Sequence, residues 1–239
     1  MKLAVSGTYS SGKTLTVMAL SHYTGIPRTL ARPIREILPE AVPGKRLAQC
    51  SPSEFLHLMM RRHTGRVEHE TRLSTGFLSD GSSLQEWLYG AARVMHGMDP
   101  SATAGLDRAE ITEYGDEMRF FEKVVDQFGY AFKQHVKATF DAFVHLRHEL
   151  PIADDGHRPL NDKFRSTIDD MLLATLDELD IPYHVVGGTL PERLTVIVDR
   201  MCLHTVTGVE DAIALAREDY AKLDMRLELE RSRVAPVPT

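Results

Sequence analysis

Cysteine is nearly absent from this sequence. Only Cys50 and Cys202 occur, far apart and neither in a CxxC pair, which excludes a disulfide framework and a thiolate zinc site. Long apolar runs are missing too: nothing approaches the roughly 18 residues of a membrane span. The first apolar run, Leu3 to Val5, is too short for a signal-peptide core, so a cytoplasmic protein with reduced thiols is expected. A basic excess is also lacking. Against 34 Asp+Glu stand 28 Lys+Arg, a formal charge of −6, which argues against a general nucleic-acid binder. Eleven histidines are present, but none forms HxxxH on an expected helix or joins a Cys/His cluster, so no zinc site is expected. His145 and His148, at a strand end, read as structural or surface residues. There is no internal repeat and no low-complexity tract.

What remains is an ordinary globular composition, 43% hydrophobic and 26% charged over 239 residues. That length suits one α/β domain with an insertion, or two small domains.

The strongest local signal lies at the start. Gly7, Gly12, Lys13 and Thr14 fit GxxxxGK[ST] in full, and Thr8, Ser10 and Ser11 fill the loop. Glycines let the backbone curl so that successive N–H groups meet phosphate oxygens. The positive end of the following helix adds to the attraction. In this motif the lysine reaches the β- and γ-phosphates and the hydroxyl ligates Mg²⁺, which assigns those tasks to Lys13 and Thr14. An apolar strand precedes the motif and a helical pattern at Leu15, Val17, Met18 and Leu20 follows it. ATP or GTP is therefore the expected ligand.

Further strands are expected at Arg28–Ala31, Gly76–Asp80, Phe140–Leu146 and Tyr183–Val186. Helices are expected between them: one from the Ser51-Pro52-Ser53-Glu54 cap, one over Leu84–Met95, an amphipathic one over Asp116–Thr139, one through Ile168–Leu179, one from Pro191 and a last near Glu210–Glu230. This order predicts a P-loop NTPase three-layer α/β fold, a five-stranded mainly parallel sheet flanked by helices. Residues 1–205 form the P-loop domain, with a helical insertion near 97–138 and a lid near 147–165. Residues 206–239 add a C-terminal helix and tail packed on it.

In such sheets ligands sit at the C-terminal strand ends. Asp80 ends a strand beside the P-loop strand. It can accept a proton from an acceptor hydroxyl or hold a Mg²⁺-bound water, and a helix N-cap is its bland alternative. Arg158 and Arg165 lie in and after the 147–165 loop, where arginine-bearing lids close over phosphates; Arg158 is the favoured of the two. Arg32 and Arg35 follow the second strand, where they face an acceptor or decorate a surface helix.

Taken in order, these features form a pattern: the N-terminal P-loop, a strand ending in Asp80, FDAFVHL at 140–146, DDGHRP at 154–159, FRSTID at 164–169, and HVVGG at 184–188 followed by Glu192-Arg193-Leu194. The pattern resembles the P-loop kinase-like ATPases related to the nicotinamide riboside kinase domain of bacterial NAD regulators, and more distantly nucleoside and nucleotide kinases. It spans residues 1–200, weakly through 39–75 and 97–138. The resemblance implies lid roles for Arg158 and Arg165 and a place near the nucleotide base for Gly188 to Arg193. It also implies a stand-alone ATP-dependent, Mg²⁺-using small-molecule kinase acting on a hydroxyl of a nucleoside-like acceptor, with homo-oligomerisation left open. A regulatory P-loop NTPase and a nucleoside monophosphate kinase are the rival readings. In that family the strand-end acid is commonly followed by arginine; here Gly81 stands in its place.

Overall fold

In the computed structural model the described residues are 1–106, 110–111, 115–149, 151–152 and 159–223. Four strands, β1 (Lys2–Ser6), β2 (Phe77–Asp80), β3 (Ala142–Leu146) and β4 (Tyr183–Val186), form one parallel sheet in the order β2-β1-β3-β4. β1 pairs with β2 through Leu3 opposite Leu78 and with β3 through Val5 opposite Val144. The apolar run of β1 is buried on both faces, as an inner parallel strand requires.

Among the described residues the sheet has four strands rather than the expected five. The segment at 28–31 makes a single bridge, Arg28 beside Leu78, closed by Leu78 N–H to the Pro27 carbonyl (2.9 Å) and Thr29 N–H to the Leu78 carbonyl (2.8 Å). Pro27 and Pro33 bracket it, and neither carries an N–H to extend a ladder. Beyond the bridge Leu30 is 58% exposed, so its side chain gains no burial from further pairing.

Helices cover both faces. On one side α1 (Lys13–Thr24), α7 (Leu190–Arg200) and α8 (Val209–Ala221) pack Val17, Leu20, Leu194, Ile197 and Ile213 against Leu3, Val5 and Val144. On the other, α4 (Ser83–His96) and α6 (Asp162–Glu178) pack Leu84, Leu88, Phe164 and Ile168 against Ala4, Phe77 and Phe143. The alternation of Leu3 and Val5 against Ala4 follows the period of two in a strand. Between β1 and β2 the chain forms α2 (Ile34–Ala41), a short 3₁₀ turn at Leu47–Gln49, and α3 (Pro52–Arg72). The sequence marks the start of α3 well: the Ser51 hydroxyl accepts from Glu54 N–H, and the Glu54 carboxylate accepts from Ser51 N–H. It does not reveal the length of α3, because the buried side of its second half carries Arg62, Arg66 and Glu70 instead of apolar residues.

The long helix α5 (Asp116–Thr139) buries Met118, Phe121, Val125, Phe132 and Val136, the three- and four-residue stripe its sequence shows. It leans on α3 and α4, and the three form a subsidiary core around Phe55, Met59 and Phe121. Among the described residues no helix is long and apolar enough to cross a membrane. All four strands run the same way, so Ser6, Asp80, Leu146 and Val186 reach one edge of the sheet.

Candidate active site

At that edge the chain leaves β1 through Gly7, at φ 136°, a backbone shape that side chains oppose. A Cβ there would meet Ser11 Oγ at 2.8 Å and the Leu146 carbonyl at 2.9 Å. Gly12, at φ 88°, caps α1 in the left-handed region. The loop between them is braced within and without. Ser11 Oγ donates to the Thr8 carbonyl (2.8 Å), as does Lys13 Nζ (2.7 Å). From α4, Gln85 Nε2 donates to the Gly7 carbonyl (3.3 Å). From α6, Arg165 Nε donates to Thr8 Oγ1 (3.2 Å), and from α7, Arg193 Nη1 donates to the Ser11 carbonyl (2.6 Å).

Thr14 Oγ1, in the first turn of α1, donates to Asp80 Oδ2 at 2.6 Å. A hydroxyl and a carboxylate so close form an all-oxygen donor pair of the kind that suits Mg²⁺, which keeps several waters and takes only one or two protein ligands. Asp80 is not the cap of α4. That place belongs to Ser82, whose Oγ accepts from Leu84 N–H (3.3 Å) while Gln85 Oε1 accepts from Ser82 N–H (2.5 Å). The Asp80 carboxylate is thereby left to face Thr14.

Beyond this pair a cavity of about 720 Å³ opens. Lys13, Thr14 and Asp80 line its near end. Along its wall, Arg62 and Arg66 of α3 both converge on one oxygen of Glu86 in α4, Arg62 Nε at 3.2 Å and Arg66 Nε at 3.0 Å from Oε1. Arg66 Nη1 also donates to the Asp80 carbonyl (2.9 Å), and Arg62 Nη1 to the Arg32 carbonyl. Burial pushes the Glu86 carboxyl up, but the two guanidinium groups outweigh it and hold it below the ordinary value. Phe55, Tyr9, Tyr89 and Phe164 give the cavity aromatic walls, and Arg93 stands among them. Burial draws Arg93 down to about 10 and raises both tyrosines.

Residues 2–193 match the family described as AAA domain. The chain belongs to that family. Among solved structures this AAA-domain protein is similar to deoxyadenosine kinase from M. mycoides with bound dCTP, at 13% identity and TM-score 0.55 over 84% of this chain and 99% of that one. It is also similar to the same enzyme with products dCMP and a flexible dCDP bound, at 11% identity and TM-score 0.51, with the same coverage. At such identities the likeness is one of fold. No curated protein matches the chain.

Of the residues expected to act in this AAA-domain protein, the fold brings together Gly7 to Thr14, Asp80, Arg165 and, on the cavity wall, Arg35. Arg165 is 2% exposed and sits in the first turn of α6, beside the P-loop. Gly188, at φ 91°, donates its N–H to Glu149 (2.8 Å), which also pairs with Arg193 (3.3 Å). Arg32 is a correction. Its guanidinium turns to the surface and pairs with Glu40 at 2.7 Å and Glu36 at 3.7 Å, carboxylates one and two turns along α2, so it does not line the cavity. Arg158 and the Asp154–His157 stretch lie outside the described residues.

Arg62, Arg66, Glu86, Tyr89 and Arg93 are the site residues that the sequence reading passes over. A signal for them exists. Arg62 and Arg66 sit four apart on the helix face begun by Phe55 and Met59, while Glu86, Tyr89 and Arg93 follow at spacings of three and four. Charged residues in register with an apolar stripe are buried with it, and buried charge seldom lacks a task.

Proposed function

We propose that this AAA-domain protein is an ATP-dependent phosphotransferase, with GTP as the other candidate donor. It transfers the γ-phosphate to a hydroxyl of a nucleoside or nucleoside-like metabolite. One observation carries the reading: the P-loop lysine and the strand-end Asp80 share a walled cavity large enough for a second small molecule. A switch NTPase would have a protein-binding surface at that place. The fold likeness to a deoxyadenosine kinase with bound dCTP adds weight.

In this reading Gly7, Thr8, Ser10, Ser11 and Gly12 hold the donor phosphates. Lys13 and Arg165 stabilise the migrating phosphoryl group, and Arg158 closes over it from the 147–165 segment. Gly188 belongs to the wall of the donor base. Thr14 and Asp80 would hold Mg²⁺, which would supply positive charge against the donor phosphates. Asp80 either takes the acceptor's proton or orients a metal-bound water. Arg35 faces the acceptor. The working unit is one domain, 1–205 with 206–239 folded against it, in the cytoplasm, and its kinship is to the nicotinamide riboside kinase-like group.

The test is a panel of nucleotides and acceptors, read by ADP release and by the mass of the product. Hydrolysis that no acceptor accelerates would sink the kinase reading. A second acceptor class, nucleoside monophosphates, is favoured by one feature: two arginines share one Glu86 oxygen, which leaves that wall with positive charge to spare. Phosphorylation of a monophosphate with its nucleoside inert would decide for it.

A further inference from the structure

Among the cations of the cavity, Arg93 stands apart. It is 2% exposed, yet it forms no ion pair with any described residue. Nε donates to the Met98 carbonyl (3.2 Å) and Nη1 to the Tyr89 carbonyl (3.0 Å). Nη2 has no hydrogen-bond partner among the described residues. Its charge rests on aromatic faces, with Cζ 4.2 Å from the Phe55 ring centre and 5.4 Å from that of Phe164. Burial lowers its pKa to about 10, and it stays protonated near neutral pH. A buried guanidinium with donors to spare is costly unless a partner arrives.

The place of Arg93 says what that partner is. Glu86, Tyr89 and Arg93 share one face of α4, and Arg93 lies about 15 Å along the axis from Ser83 at the helix start. It therefore stands at the end of α4 remote from Asp80, where Tyr9 of the P-loop turns its ring into the cavity. The walls near it are flat rings: Phe55, Phe164, and Tyr9, whose ring stacks on Tyr89 and Phe164 at centroid distances of 6.2 and 6.4 Å. Such walls accept a planar ring, and a guanidinium demands an acceptor oxygen on that ring's edge.

We propose that Arg93 reads the far end of the acceptor, and that the acceptor carries there a heterocycle presenting a carbonyl oxygen. This rests on the nucleoside-like acceptor argued above and narrows it to oxo-bases. Adenine is disfavoured, because it carries no carbonyl and its N7 acceptor has the N6 amino donor beside it, whereas guanine offers N7 and O6 as two acceptors side by side. Pyrimidine carbonyls serve equally.

Binding of uridine and guanosine, in ribo and 2′-deoxy forms, is to be measured by calorimetry on the full chain against adenosine and 2′-deoxyadenosine. The oxo-nucleosides should bind at least about tenfold more tightly. Arg93→Met keeps the stem and should bring that ratio to within about twofold. Arg93→Lys keeps the charge without the fork and should give a ratio in between. A merely structural role would weaken all nucleosides and lower Tm without moving the ratio. Should Arg93→Met fail to fold, the lysine variant decides alone, and an unchanged ratio in it overturns the proposal. So does equal or tighter adenosine binding by wild type, or no binding of any nucleoside. Selective binding without transfer would leave Arg93 in place and remove the kinase reading. Transfer without base preference would do the reverse.

Discussion

At the scale of single residues, the carboxylate of Asp80 is the sharpest point of contact between sequence and chemistry. Its oxygen sits 2.6 Å from the Thr14 hydroxyl, where the proposed transfer needs a proton acceptor or a metal-water anchor. Asp80→Asn keeps the hydrogen bond's shape and removes the charge. Turnover should fall about 10²- to 10⁴-fold, the usual worth of a general base, while the affinity for ADP stays close to wild type. Near-normal turnover in that variant would refute the base assignment. Lys13→Ala should abolish transfer with the fold intact by circular dichroism. Gly81, one residue on, makes a different prediction. It holds φ 76°, and a Cβ there would meet Gln85 Oε1 at 2.5 Å and Arg66 Nη2 at 3.2 Å. An arginine at this position would clash with the guanidinium that α3 already delivers. Gly81→Arg should therefore cost about 1–3 kcal/mol in urea unfolding and not improve activity. A stability equal to wild type would show that Arg66 yields its place freely.

At the scale of elements, what the sequence discloses depends on what each element buries. The amphipathic stripe of α5 and the capping box of α3 are legible because apolar period and cap chemistry are local signals. Ser51→Ala should lower stability by about 1 kcal/mol, read as a shift in the urea midpoint. The second half of α3 is not legible in the same way. Its inward face carries Arg62, Arg66 and Glu70, and a hydropathy pattern reads such a face as solvent-exposed. That face also holds His63, against Phe132 at 4.0 Å between ring centres and with Nδ1 2.8 Å from Ser83 Oγ. Burial, then the neighbouring His135 and Arg66, draw His63 from 6.5 to about 4, against the pull of Glu70 and Glu86. The folded imidazole thus binds its proton later than the unfolded one as pH falls. The stability His63 contributes is complete above its unfolded value and is lost as pH drops from about 6.5 towards 4. Melting curves should show Tm falling across that window. His63→Gln, which retains a partner for Ser83, should flatten the fall. An unaltered pH profile would place the sensitive group elsewhere.

At the scale of the whole molecule, bulk properties mislead about the site and topology leads to it. A net charge of −6 gives no hint of a cavity lined by Lys13, Arg35, Arg62, Arg66 and Arg93. These cations come from four separate stretches of chain, and only the fold assembles them. The strand-helix alternation, by contrast, places the P-loop and Asp80 at one sheet edge without any coordinate, and it errs where prolines cut the expected second strand to one bridge. The same topology makes α8 part of the phosphate site at a distance. Ala212, Ile213 and Ala216 are buried, Ile213 and Ala216 in the core that holds Val17, Leu20 and Ile197. His22 of α1 pairs with Asp219 at 3.0 Å, and Val206 N–H donates to the Tyr23 carbonyl at 2.9 Å. The helix whose first turn carries Lys13 and Thr14 is thus covered along its back by the last described helix. Ending the chain after Thr205 uncovers that back. Loss of the buried Ile213 and its neighbours should cost about 2–5 kcal/mol, seen as a lower Tm and a weaker affinity for ADP. Saturating ADP should recover part of the lost Tm, because ligand binding favours the folded state by mass action. If the shortened chain melted and bound ADP as the full chain does, α1 would be held by the sheet alone and α8 would have no part in the site.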